Sequence, residues 1–507
     1  MSKKKKRKKY SKWLGEEYLA VQNFKQEYGQ SFPQELLHGY TESGIFFGLP
    51  QNKMPRTYVG ISEGYEGNIL VIGGSGSGKT SGVIMTTTKA WNSILCVTDI
   101  KGEISCRYKF MYDYGLVERP YIVFNLMSGN GYSYDFFWWL RVDDEYNLKE
   151  NINEIVCALI PQISDSENEF WDSSERSLLT AALLYFFKQG LNFIQSVCMI
   201  LDMEIAKLCK LLSSCGDRDV TMPIGNMGEM KSEHLAIIDR GLRNKLSLFV
   251  SNPYVCNALQ GNNEKVFVWN DLEEYNVFLC IPEDKLEQLG AIVNVMYSQL
   301  IHFLMRRPDK YSDNGKSNQP ILLLMDEVAQ FGKLEVLPRA ITTLRSKNVN
   351  ICLALQSLAQ LDKYYGELDR RIILDNCRYK LILEAGDPET QQYLCQLIGK
   401  KRIVQQSLTE HYDDEMTKTS CGVQFSESLD WKIQPEELAY LRDIILLSPY
   451  GVYKIKKFCE YTVLNDFYLS NSTYRTLVNR SNCRKELSYV PSIDEITATA
   501  QKIIDKS

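Results

Sequence analysis

The sequence predicts an α/β protein with a mostly parallel, doubly covered sheet, interrupted by an all-α segment. Three observations carry that expectation. Short, near-continuous apolar runs alternate with helical patterns along most of the chain, as strands buried on both faces do. One such run, Asn68–Ile72, ends in the glycine loop Gly73-Gly-Ser-Gly-Ser-Gly-Lys-Thr80 and leads into a helical pattern over residues 79–92. The stretch from about 140 to 265 differs, with helical periodicity in Asn147–Leu159, Glu169–Gln189 and Phe193–Leu212 and no strand pattern before Val266.

Each element follows from its residues. Residues 1–55 read as a basic tail, a polar helix near Gly15–Tyr28, and loops ending at Pro50 and Pro55. Strands are expected at Ile94–Ile100, Tyr121–Asn125, Tyr275–Pro282, Gln319–Met325, Val349–Leu355 and Tyr379–Glu384. Helices are expected at Glu283–Met305 and, after the last strand, at Glu389–Ile398. The resulting division is 1–55, a first part of the glycine-loop domain at 56–139, the all-α insertion at 140–265, and a second part of that domain with a C-terminal extension at 266–507.

Composition narrows the function classes. The chain has 507 residues, 44% hydrophobic and 24% charged, as soluble globular proteins do, which allows two or three domains. Its net charge of −5 carries no global nucleic-acid signature, so any such contact is local. The 14 cysteines include no C-x-x-C pair and there are four histidines, a pattern of reduced core thiols rather than a disulfide framework or zinc site. No apolar stretch is long enough to predict a transmembrane helix. The basic run Lys3–Lys9 suits anionic lipid or DNA phosphate, or is a solvated tail.

Gly73, Gly78, Lys79 and Thr80 satisfy the G-x-x-x-x-G-K-[ST] pattern between a strand and a helix, the context a phosphate-binding loop demands. Glycines at 73, 74, 76 and 78, with Ser75 and Ser77 between them, let backbone N–H groups turn inward toward phosphate. Ser81 follows in the first helical turn. Lys79 is expected to reach the β- and γ-phosphates of ATP, and Thr80 to ligate Mg2+.

The second half of the site is Ile321-Leu-Leu-Leu-Met-Asp326-Glu327, an apolar strand ending in adjacent carboxylates. Asp326 is expected to hold Mg2+ through water, and Glu327 to polarise the attacking water. Kinases, whose nucleophile is the phosphoryl acceptor, need no such glutamate; RecA-like motor ATPases do. Gln356, at the tip of the next strand, is placed beside the γ-phosphate. Arg345 is a candidate finger reaching a neighbour's nucleotide.

At these residues the chain resembles the type IV secretion coupling proteins, the TraG/TraD-like conjugation ATPases. Thr98-Asp99-Ile-Lys101-Gly102-Glu103 is similar to their D-P-K-G-E segment, with Ile100 in place of proline. The other segments are Phe170-Trp171-Asp172, Asp326–Leu334, Ala354–Gln360, Asp375-Asn376-Cys377 and Asp387-Pro-Glu-Thr390 leading to Gly399. The resemblance spans roughly residues 45 to 465. It implies a RecA/FtsK-like P-loop motor interrupted by an all-α domain, assembled as a homo-hexamer on the cytoplasmic side of a bacterial inner membrane. It further implies an ATP-driven translocase handing DNA and relaxase to a type IV secretion channel. The family generally has transmembrane helices, which this sequence does not show. A peripheral contact through Lys3–Lys9, or a partner's anchor, is expected instead. An ATP-switched recruitment adaptor and an FtsK-like chromosome translocase are the alternatives.

Overall fold

The computed structural model describes residues 32–51, 54, 56–129, 131–161, 169–261, 265–310, 318–412, 418–458 and 492–505. The basic run Lys3–Lys9 and the helix expected near Gly15–Tyr28 lie outside them. The chain opens with β1 (Leu37–Gly39), β2 (Gly44–Gly48) and β3 (Thr57–Ser62), an antiparallel sheet in the order β1-β3-β2. This corrects the expectation of loops up to Pro55. The sequence signal is short and glycine-broken, and the glycines have a packing reason. A side chain at Gly44 would run into the Ile61 carbonyl, and one at Gly60 into that of Ile45.

The expected strands then appear in order as β4 (Ile69–Ile72), β5 (Ile94–Asp99), β6 (Tyr121–Asn125), β7 (Asn276–Cys280), β8 (Ile321–Met325), β9 (Val349–Leu355) and β10 (Tyr379–Ile382). Every pairing among them is parallel. β10 was not the last strand. Lys400–Tyr412 (β11) and Lys418–Trp431 (β12) form an antiparallel ribbon, and β13 (Asp443–Ser448) and β14 (Gly451–Lys456) add a hairpin to the central sheet. That sheet has nine strands in the order β14-β13-β10-β4-β9-β8-β5-β7-β6. The apolar run Ile444–Leu447, and the turn at Pro449-Tyr450 before an alternating Val-Tyr-Lys-Ile, were readable hairpin signals.

Alternation along the strands explains why the sheet is covered on both sides. Ile69 and Val71 belong to one buried cluster, Leu70 and Ile72 to another. Leu95 and Val97 face with the first, Ile94 and Cys96 with the second. At the amino edge, the buried side chain of Asn68 cross-links the sheet to its surroundings. Its Nδ2 donates to the Ile341 carbonyl (2.9 Å), and its Oδ1 accepts from the Ile351 N–H (3.0 Å). Such a buried amide is stable only because these partners satisfy it.

From Trp138–Val142 to Pro253–Ala258 the described elements are all helical. The chain leaves and re-enters the sheet layer at one point: Ser133 N–H donates to the Lys265 carbonyl (2.9 Å) and Phe267 N–H to that of Ser133 (2.8 Å). The helical residues Leu178, Phe193 and Phe249 share one apolar cluster with Leu323 of β8 and Ile292 of helix Leu286–Met305. The helices are therefore packed onto one face of the sheet. Arg306, at the end of that helix, locks the junction. Its Nη2 donates to Asp143 Oδ2 (2.6 Å) while the guanidinium stacks 4.5 Å over Trp139. The single helix expected over Phe193–Leu212 is two, Phe193–Asp202 and Ile205–Ser214, because Met203 and Glu204 are extended (ψ 144° and 133°). Among the described residues no helix is long and apolar enough to cross a membrane.

Candidate nucleotide site

Parallel strands point their carboxyl ends the same way, so the residues that follow them collect at one edge. In this sheet β9 lies between β4 and β8, with β5 beyond. The registers Ile72↔Leu355, Met325↔Leu353 and Thr98↔Met325 bring the ends of all four strands side by side. Gly73, Gln356 and Asp326 follow those ends immediately, and Asp99 is the last residue of β5. Residues separated by most of the chain thus meet.

The glycine loop is held by its own lysine. Lys79, 5% exposed, donates from Nζ to the Gly73 carbonyl at 2.5 Å and the Gly74 carbonyl at 3.0 Å. Gly76 (φ 78°) and Gly78 (φ 98°) occupy the left-handed region that a side chain would strain. A Cβ at Gly73 would crowd Ser77 Oγ and, at 3.1 Å, Leu383 Cβ. Ser75 is exposed at the loop tip and Ser81 half-buried in the first turn. The helix expected over 79–92 begins as a π-helical turn, Lys79–Ile84, and continues as Met85–Ala90.

Thr80 Oγ1 donates to Asp326 Oδ2 at 2.8 Å, joining the glycine loop after β4 to the end of β8. Asp326 is buried, and its other oxygen, Oδ1, has no hydrogen-bond partner among the described residues; nor does the buried hydroxyl of Ser77. Buried polar atoms are rarely left so, and a magnesium nucleotide held by the loop would satisfy them. Together with Lys79 and Thr80 they fit that group.

Glu327 has φ 52° and ψ 39°, a left-handed conformation that is costly for a glutamate and typical of functional sites. Its carboxylate accepts from Gln330 and, at 3.5 Å, from Gln356 Nε2. Gln356 is linked onward: its N–H donates to Gln360 Oε1 (3.1 Å). Two residues on, Leu358 N–H donates to Thr390 Oγ1 (3.1 Å), a hydroxyl itself bound to the helix cap Asp387.

Burial dominates the electrostatics. It pushes the Asp326 carboxyl up to about 6, against the Thr80 hydrogen bond and the Lys79 charge, while Glu327 and Asp99 add to the rise. Burial also lowers the Lys79 ammonium, opposed by Asp326 and Glu327. Buried Asp99 is likewise raised by desolvation; its Oδ2 accepts from the Ser105 N–H (2.7 Å), which fixes the loop carrying Lys101.

Arg345, expected as a finger for a neighbour's nucleotide, lies away from its own chain's site. Arg345 lies on the turn Leu344–Lys347 before β9, at the opposite edge of the sheet, roughly 20 Å of strand away. It is 65% exposed, with Nε 4.0 Å from Glu66 Oε2. Asp172 of the Phe170-Trp171-Asp172 segment binds Lys245 (2.8 Å), which also holds Glu175 (2.5 Å), inside the helical block. Two residues at the site were not singled out from sequence. Gln330 sits in the Val-Ala-Gln-Phe segment and could have been suspected there. Glu384 carries no motif signal.

Comparison with known proteins agrees with this geometry. The family model described as type IV secretory system conjugative DNA transfer matches residues 49–484. The chain belongs to that family. Among curated relatives, the VirD4 protein of Agrobacterium fabrum is 26% identical over 37% of this chain and 27% of its own length. The conjugal transfer protein TraG of Escherichia coli is 21% identical over 73% of this chain and 61% of its own. The chain thus matches less than two thirds of each. The solved plasmid coupling protein TrwB with the ATP analogue ADPNP superposes with a TM-score of 0.59 at 18% identity, covering 77% of this chain and 85% of that one. A second TrwB structure, in complex with ADP and Mg2+, gives 0.53 at 17% over the same shares. These likenesses establish the P-loop α/β fold.

The raised Asp326 carboxyl has a consequence for stability. A folded pKa near 6 exceeds the unfolded value of 3.8, so the stability this group contributes is fully present below pH 3.8 and is lost as pH rises through 6. Asp326→Asn keeps the uncharged form at every pH. Thermal unfolding of nucleotide-free protein should show the variant gaining over wild type, by more at pH 7.5 than at pH 4.5. A constant difference would mean that Asp326 does not titrate in this window.

Proposed function

We propose that this chain is a Mg2+-dependent ATPase that drives DNA, with its bound relaxase, into a type IV secretion channel, working as a homo-hexamer on the cytoplasmic side of a bacterial membrane. One observation carries the catalytic part: Lys79, Thr80, Asp326, Glu327 and Gln356 meet at neighbouring strand ends, with Asp326 Oδ1 and Ser77 Oγ lacking partners among the described residues. Membership of the conjugative DNA transfer family supports the cargo.

In this reading residues 73–81 wrap the phosphates with inward N–H groups, and Lys79 adds a cation where water is scarce. Thr80 and Asp326 would hold Mg2+, which would supply positive charge against the phosphates when bound. Glu327, held by Gln330 and Gln356, accepts the proton of the attacking water. Gln356 then has two neighbours that respond to loss of the γ-phosphate, Glu327 and the segment running to Thr390. Glu327 is what distinguishes a motor from a recruitment adaptor that only binds ATP.

Lys79→Ala should abolish hydrolysis and weaken nucleotide binding. Glu327→Gln should bind ATP as wild type does yet turn over about 10²–10⁴-fold more slowly. Equal turnover in a Glu327→Gln protein that binds ATP would move the water-activating role elsewhere. Arg345, remote from its own P-loop, enters the proposal only as a finger for a neighbouring subunit. Mixing Arg345→Ala with Lys79→Ala subunits should then restore activity, and no complementation at any ratio would remove it from the catalytic set.

A further inference from the structure

One carboxylate at the site has no role in the chemistry described so far. Glu384 follows β10, the strand on the far side of β4 from Asp326. The ladder carries past both strand ends: Ile382 pairs with Ile72, and Leu383 N–H donates to the Ile72 carbonyl at 2.8 Å. Glu384 is thereby delivered against the loop. A Cβ placed on Gly74 would lie 3.1 Å from Glu384 Oε1 and 3.6 Å from its Cδ. Gly74 is also where Lys79 Nζ donates, at 3.0 Å.

Glu384 is partly buried, and among the described residues no hydrogen bond or ion pair holds its carboxylate. Its cationic neighbours are both committed elsewhere. Lys79 is bound to the loop carbonyls, and Lys457 donates to the Leu441 carbonyl at 2.9 Å. The attraction of Glu384 bears on both lysines, partly offsetting the lowering that burial imposes on each. Lys457 is brought close because the chain after β14 crosses the nucleotide helix, with the Phe458 carbonyl where a side chain on Gly82 would stand.

A carboxylate held by no hydrogen bond or ion pair in a phosphate cradle opposes phosphate. The motif lysine marks the β/γ end of the cradle, since that is the end it serves. We propose that Glu384 is a specificity-determining residue that disfavours the γ-phosphate, so that the site discriminates less between triphosphate and diphosphate than its P-loop alone would. A motor that must empty and refill its site benefits, because tight triphosphate binding beyond need adds nothing to turnover. Lys457 tempers the effect by partly neutralising Glu384. This inference rests on the nucleotide reading above.

The test is calorimetric titration of the full chain with Mg-ADP and with a non-hydrolysable Mg-ATP analogue. Glu384→Gln should tighten the analogue about fivefold, the worth of one like charge at this range in a partly screened site. ADP affinity should stay within about twofold. Lys457→Met should shift the ratio the other way, by about twofold. An unchanged ratio in both variants, or weaker analogue binding by Glu384→Gln, would overturn the proposal. If Glu384→Gln loses ADP binding through misfolding, Lys457→Met decides alone, and an unchanged ratio there overturns it. Wild-type protein that binds neither nucleotide would instead sink the nucleotide reading itself.

Discussion

The hydrogen bond between Thr80 and Asp326, 2.8 Å long, closes a sequence separation of 246 residues. The bond sets the loop hydroxyl and the strand-end carboxylate side by side, the pair that would position a cation. What makes the bond possible is the strand order. With β9 between β4 and β8, the loop after β4 spans one intervening strand to reach Asp326, and Gln356 at the tip of β9 falls in the gap. The buried Asn68 and the parallel ladders hold those strands in register at the other edge. A one-residue slip of β8 would turn Asp326 to the wrong face.

The site is costly to the fold. It holds a buried carboxyl raised to about 6, a second buried aspartate beside it, a glutamate with φ 52°, and two buried polar atoms without partners among the described residues. A bound magnesium nucleotide would give the unpartnered atoms partners and would stabilise the Asp326 charge, which would couple binding to fold stability here. The surrounding apolar strands, nearly all fully buried, supply the rigidity that keeps these groups in place.

Much of this was legible in the sequence. The parallel strands β4 to β10 are continuous apolar runs, and both halves of the site end such runs, so position and chemistry reinforce each other. What was missed has physical reasons. β1 to β3 and the hairpin β13–β14 pair antiparallel at edges, where strands are short, glycine-broken or mixed with lysine, and such patterns resemble loops. The break at Met203-Glu204 leaves helical periodicity intact, so the two helices read as one. Glu384 belongs to no motif and acquires its place only through the register of β10 beside β4. Arg345 illustrates the converse. Its residue type and spacing suggest a finger, yet only topology reveals that its own chain's nucleotide site is at the other edge.

The chain belongs to a conjugative DNA transfer family, and its helical block packs on one face of the sheet that carries the site. Whether the assembled strand ends form one working ATPase is most directly measured by ATP hydrolysis in purified protein. The assay should be run with and without Mg2+ and single- or double-stranded DNA, alongside sizing in solution. The account predicts turnover that requires Mg2+ and rises with DNA and with assembly into rings. Protein that binds Mg-ATP and assembles on DNA, yet never hydrolyses it, would contradict the account.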